Sequence, residues 1–280
     1  MSVLNDLRET LEHTETAQFV TTMLRDISAT KLQAIRSAFE ANEAYFSELH
    51  DLMTVVEEQA TIAGMLPQPG QARRVLVGLT ANKRFYGTLN RDVIAHLEKQ
   101  LTAEADSDCV VIGQTGQQLM QHSQHRAKAT YVQFERDEPQ TRELLQIVEQ
   151  LSVYDEVVVI HPTFINSFEQ TAKLTDLTHR PSQADRLRKR SSLVEYIFEP
   201  DLIKMLRFFT THIRLTLFQR VLLETQVALT GARLMKMQRA RERAGELLKQ
   251  QRLVIHKEMT TIQSMRLLET FSGFRAKDSL

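Results

Sequence analysis

Few residues in this 280-residue chain have the types and spacing that chemistry demands. Gly113-Gln114-Thr115-Gly116 follows the apolar run Cys109-Val110-Val111-Ile112, and glycines after a strand invite a nucleotide-binding reading. The segment lacks both the G-x-G-x-x-G fingerprint and the Gly-Lys-Ser/Thr ending of a phosphate loop. His122 and His125 stand three apart with no third suitable ligand nearby, whereas zinc takes three or four. They read as exposed polar residues of a loop or helix. Serine, histidine and aspartate are scattered without a nucleophile-elbow pattern. The single cysteine, Cys109, can form no internal disulfide and fits a reducing, cytosolic setting. The expectation is a chain with no catalytic centre, no cofactor and no metal site of its own.

The elements around these residues alternate between strand and helix. Arg74 to Thr80, Cys109 to Ile112, Ala129 to Phe134 and Asp155 to His161 are apolar runs of strand length. Val93, Ile94, Leu97 and Leu101 mark one amphipathic helix, and Leu144 to Leu151 another. Thr171 to Thr178 alternates polar and apolar, as an exposed or edge strand does, and Leu193 to Phe198 reads as a last strand. Pro181 to Ser192, with its basic run Arg186 to Arg190, reads as a solvated loop. Alternation of this kind implies a small α/β domain with a mostly parallel sheet.

On either side of that middle lie two long helical stretches. Residues 1–63 hold neither glycine nor proline, and Gly64 to Gly70 then breaks the pattern as a linker. From Pro200 to about Gly273 only Gly231 and Gly245 interrupt a second helix, opened by Glu199-Pro200-Asp201. At about 1.5 Å per residue it would be on the order of 100 Å long. Leu202, Leu206, Phe209, Ile213, Leu223, Val227, Leu234, Met237, Ala244, Leu248 and Ile255 follow steps of three and four, a coiled-coil seam. Leu4, Leu7, Leu11, Val20, Leu24, Ile27, Ile35, Phe39, Phe46, Leu49, Met53 and Val56 supply the apolar side of the first helix. Residues 1–58 carry eleven acidic and four basic side chains, while 201–277 carry six and fifteen. Opposite charge at the flanks favours an antiparallel coiled coil within one chain, with two ordinary solvated amphipathic helices as the alternative.

The net charge of zero argues against a general nucleic-acid or membrane-surface binder. The first residues show no basic-then-apolar signal pattern, and no apolar stretch approaches the roughly 18 residues needed to span a bilayer. No direct membrane insertion is expected.

From end to end the chain resembles the gamma subunit of rotary F-type ATP synthases. Glu224-Thr225, Ala232-Arg233-Leu234-Met235-Lys236-Met237, Ala244-Gly245-Glu246-Leu247 and Leu253-Val254 follow the family's closing pattern, and Leu267, Glu269, Ser272 and Gly273 match its terminal motif. Thr21, Arg25, Lys31 and Leu32 fit the first helix, and Tyr154-Asp155-Glu156-Val157 and Tyr196-x-Phe198-Glu199-Pro200 fit the middle. Where the family has Ser-Asp-Arg-Gly-Leu-Cys-Gly-Gly-Phe-Asn, this chain has Ala81-Asn82-Lys83-Arg84-Phe85-Tyr86-Gly87-Thr88-Leu89-Asn90. Near the end it has Met259-Thr260, Ser264 and Arg266 at positions the family fills with Arg-Gln, threonine and an acidic residue.

The resemblance implies an α/β fold plus a long antiparallel coiled coil: a first shaft helix over 1–63, a small Rossmann-like α/β domain over 72–198 and a second shaft helix over 200–273. It implies a central-stalk rotor carrying torque between a membrane ion-driven ring and a catalytic hexamer, with ATP chemistry on the partners. Those partners would be the catalytic and non-catalytic subunits of the hexamer, a small epsilon-type stalk subunit and the membrane c-ring, at the cytoplasmic face of the inner (plasma) membrane. Contacts with the stator would fall on Thr21, Arg25, Arg233, Lys236, Arg239, Arg241, Arg243, Ser264, Arg266 and Glu269. Leu267, Leu268, Phe271 and Phe274 would form an apolar bearing tip. A non-rotary cytosolic coiled-coil adaptor derived from the family is the competing reading.

Overall fold

The computed structural model describes residues 2–62, 73–83, 85–135, 139–166, 170–178 and 201–277, with helix side chains at the chain ends described over 4–56, 204, 205 and 208–271. The linker at Gly64 to Gly70, the basic loop at Pro181 to Ser192, the expected strand at Leu193 to Phe198 and the Glu199-Pro200 helix opening lie outside the described residues. Helix α1 covers Ser2–Ile62 and α5 covers Leu202–Lys277. Between them come β1 (Arg74–Leu79), α2 (Leu89–Ala103), β2 (Asp108–Ile112), α3 (Gln114–Met120), β3 (Ala129–Val132), α4 (Thr141–Leu151), β4 (Glu156–Phe164) and β5 (Gln170–Asp176). The chain packs as two compact units, Thr30–Arg233, and Met1–Ala29 with Leu234–Leu280.

In the first of these units the strands form one sheet in the order β3-β2-β1-β4-β5, with all pairs parallel except β4 with β5. Strands β1, β2 and β4 are the near-continuous apolar runs because both their faces are covered. On one face, Leu76, Val111, Val158 and Ile160 meet Val93, Ile94, Leu97 and Leu101 of α2 and Met120 of α3. On the other, Val75, Val77, Val157 and Val159 meet Leu144, Ile147, Val148 and Leu151 of α4, and also Phe218, Val221 and Leu222 of α5. The middle of α5 thus serves as a covering helix of the sheet. This corrects the expectation of a single coiled-coil stripe there: Leu223 and Val227 are half-buried, while Phe218, Val221, Ala228 and Leu229 lie deeper. Along the same stretch α5 also pairs with α1. Ile213 packs with Leu49 and Met53, and Arg220 bonds Glu43 at 3.0 Å while lying over the rings of Phe39 and Phe46.

Burial along α1 recurs at 4, 7, 11, 14, 18, 21, 25 and 28, then at 32, 35, 39, 42, 46, 49, 53 and 56, alternating steps of three and four throughout. Val20 and Ile27 do not belong to this seam and are 46% and 57% exposed. The heptad counted from Leu4 passes instead through Thr14, Gln18, Thr21, Arg25 and Ser28, so polar residues hold positions that an apolar search assigns to their neighbours.

Candidate functional site

A doubly wound sheet places its ligand crevice beyond the carboxyl ends of the strands, where the strand order reverses. Here that point lies beside β1, between β2 and β4. Leu79, Thr80, Ala81, Asn82, Tyr86 and Phe134 line it from the ends of β1 and β3 and the loops that follow them, Lys31 from α1, and Leu222, Thr225, Gln226, Leu229 and Thr230 from α5, leaving a cavity of about 50 Å³. Ligand pockets typically run to several hundred Å³.

The adjacent turn shows why Gly113 and Gly116 are glycines. Gly113 has φ 102°, and a Cβ there would overlap the Thr80 carbonyl; at Gly116 it would overlap the Thr80 and Val111 side chains. All four amides of the turn donate within the chain: Gly113 to the Val132 carbonyl, Gln114 to Asn82 Oδ1, Thr115 to the Ala81 carbonyl and Gly116 to Thr80 Oγ1, at 2.9–3.1 Å. The turn binds its own neighbours with the groups that a phosphate loop turns outward. His122 is exposed and His125 half-buried in the turn after α3, with His125 Nε2 3.2 Å from the Thr102 hydroxyl.

At the other face of α5, three residues tie the helix to the sheet. Thr163 donates its hydroxyl to Glu224 Oε1, and Lys173 Nζ lies 3.8 Å from the same oxygen. Buried His161 sits beside them, its Nε2 2.9 Å from Thr175 Oγ1. Burial holds its imidazole below the ordinary value, against the pull of Glu224. At Gly231 an added Cβ would lie 3.0 Å from the Phe164 ring at the end of β4, so the glycine lets α5 close on the sheet. Arg233 lies in the same unit with its guanidinium 4.3 Å from the centre of the Tyr86 ring.

The second unit pairs the start of α1 with the end of α5. Gln251 donates to Thr14 Oγ1 at 3.1 Å, and Arg252 bonds Glu15 at 2.8 Å. At Gly245 the neighbour is Gln18, whose Nε2 would lie 3.1 Å from an added Cβ. Met237, Ala244 and Leu248 are buried, with Arg241, Gln251 and Ile255 half-buried in the same three-four rhythm. Of the basic residues singled out by sequence, Lys236, Arg239 and Arg243 are exposed, while Arg241 occupies a seam position between Met237 and Ala244. Thr21 donates its hydroxyl to the carbonyls of Ala17 and Gln18, and Arg25 Nε bonds Asp26 at 2.9 Å. Beyond Ile262 every described side chain is exposed up to Phe271. Ser264 there donates its hydroxyl to the Thr260 carbonyl, and Arg266 and Glu269 face solvent. Leu267, Leu268 and Phe271 are 59%, 69% and 71% exposed, and the Phe274 side chain lies outside the described set.

Sequence reasoning missed the inward role of Arg233 and the pairing of Thr163 with Glu224, because each joins residues far apart in the chain. The polar seam of α1 was within reach: continuing the heptad of Leu4, Leu7 and Leu11 arrives at each of its members.

The protein family described as ATP synthase matches residues 3–276. An ATP synthase gamma chain of Desulforamulus reducens is 23% identical over 287 residues, covering 99% of each chain. A chain of the central stalk and c-ring structure of the Tetrahymena thermophila mitochondrial ATP synthase superposes with a TM-score of 0.61 at 17% identity, over 79% of this chain and 99% of that one. A chain of the Euglena gracilis mitochondrial ATP synthase rotor gives 0.62 at 12% identity, over 93% and 99%. A family match over nearly the whole chain, together with the same fold, decides the matter: the chain belongs to the ATP synthase family, as a gamma subunit of the central stalk.

Proposed function

We propose that this central-stalk subunit passes torque through two surfaces of the unit formed by Met1–Ala29 and Leu234–Leu280. The observation that carries this reading is the end of α5. Past Ile262 it runs on with every described side chain exposed, including Met265, Leu267, Leu268 and Phe271, a concentration of apolar surface that calls for a surrounding partner. The catalytic and non-catalytic subunits of the hexamer supply that partner, as a low-friction sleeve around the tip. The second surface is the exposed cations Lys236, Arg239 and Arg243, which meet acidic loops of the catalytic subunits as the shaft turns. Thr21, Arg25, Ser264, Arg266 and Glu269 belong to the same contact zone in this reading. The α/β domain over 72–198 joins the epsilon-type subunit and the c-ring, with the shaft helices assigned to 1–63 and 200–273. Among the described residues no helix is long and apolar enough to cross a membrane, so the place of the chain at the cytoplasmic face of the inner membrane comes through those partners.

Co-expression with the hexamer subunits tests the assembly. A complex that retains this chain and splits ATP cooperatively supports the reading; recovery of the chain alone supports the adaptor. Within the complex, single neutralisations should change little, because exposed charge pairs are each worth less than about 1 kcal/mol. Changing Lys236, Arg239 and Arg243 together to glutamine should slow turnover roughly threefold at low salt, the difference fading as added salt shortens the Debye length. Steady-state ATPase rates across a salt series check this.

A further inference from the structure

Tyr86 and Arg233 form a contact whose reach extends beyond the pair. The loop after β1 is pinned at its start: the Ala81 amide donates to Asn90 Oδ1 at 3.1 Å, and Asn82 accepts from the Gln114 amide and donates to the Phe134 carbonyl. Further along, Phe85 has φ 75°, a left-handed conformation costly for a side chain of its size, and its ring is 63% exposed. Gly87 is also left-handed, at φ 73°. A loop bent this way persists only if something fixes its far side. That anchor is Tyr86, 7% exposed, which packs with Ala81, Leu89, Leu229 and Ala232 and carries the Arg233 guanidinium 4.3 Å above its ring. Leu229, Ala232 and Arg233 all belong to α5, so the second pin of the loop is the shaft helix itself. Two residues before Arg233, Gly231 seats α5 against Phe164 at the end of β4 and sets how closely the helix approaches.

We infer that Arg233 is a positioning residue that locks the loop after β1 onto α5 through the Tyr86 ring, so that loop and shaft turn as one body. Its charge is directed inward to an aromatic face and is withdrawn from the basic surface formed by Lys236, Arg239 and Arg243. The Tyr86 ring is buried and Arg233 half-buried, so the contact is partly desolvated, and leucine at either position removes it.

This inference rests on the rotor reading, and the test is done in the assembled complex with Tyr86→Leu, Arg233→Leu and the double leucine variant. Hydrogen exchange of the amides over 85–88 should rise about tenfold in each leucine variant, since a partly desolvated cation–π contact is worth that order of local opening. It should rise no further in the double variant. Ions pumped per ATP split should fall together with loop protection, a readout that mere loss of stability in the assembled complex does not move. The inference is overturned if the two leucine effects add, or if Arg233→Leu lowers pumping while loop exchange stays unchanged. Failure of the rotor reading looks different, because the parent chain itself would then not assemble with the hexamer.

Discussion

Replacing Phe218 by alanine lowers the main melting transition of the protein by roughly 10 °C, the largest effect expected of any single truncation here. Phe218 projects from α5 into the core between the sheet and α4, and is fully buried with Val221 and Leu222 among Val75, Val77, Leu144 and Ile147. Emptying such a site forfeits the transfer energy of the ring and leaves a cavity, together about 3–5 kcal/mol. The site is well braced: Thr163 bonds Glu224 on one side and Arg220 bonds Glu43 on another, so the walls cannot collapse inward to recover the loss. Calorimetry on parent and variant settles it. A shift of no more than a degree or two would mean that α5 does not complete this core.

A charge at Leu248 acts on the other unit. Leu248→Asp removes a 5%-exposed seam residue and buries a carboxylate with no apolar layer to spare, because Met237 and Ala244 are its only apolar companions of comparable burial in that unit among the described residues. The polar seam residues Thr14, Gln18, Thr21 and Arg25 are only half-buried, and buried Ser28 adds no apolar surface. The expected result is local: amides over 4–28 lose protection by two or more orders of magnitude, roughly 3 kcal/mol, while the transition that reports the sheet stays in place. Hydrogen exchange resolved by peptide checks it, and unchanged protection at 4–28 would remove Leu248 from the seam.

Much of the architecture is legible in the chain. The strands β1, β2 and β4 stand out because burial on both faces demands unbroken Val, Leu and Ile, and β5 because an edge strand alternates. Helix α1 is visible from the absence of glycine and proline over its length, and α5 from the absence of proline and the three-four rhythm of its apolar residues. Helix α3 is not, since its seven residues include Gly116 and three glutamines and bury only Gly116 and Met120. The seam of α1 was misread at Val20 and Ile27 because burial there follows the phase of the heptad and not the polarity of the residue. The family resemblance groups Arg233 with the outward cations; that it lies over the Tyr86 ring depends on a fold contact across nearly 150 positions of the chain, which no local pattern carries.

In the rotor reading this subunit turns inside a catalytic ring. Cys109 is buried and its thiol is pushed up to about 12 by that burial, so it resists labelling, and an exposed position on α2 such as Lys99 can be made the one reactive thiol by Lys99→Cys. A visible probe attached there, with the hexamer of the assembled complex fixed to a surface, reports the motion directly. Addition of ATP should drive stepwise rotation of the probe in one direction at a rate that follows hydrolysis. ATP splitting at the normal rate beneath a stationary probe would contradict the account.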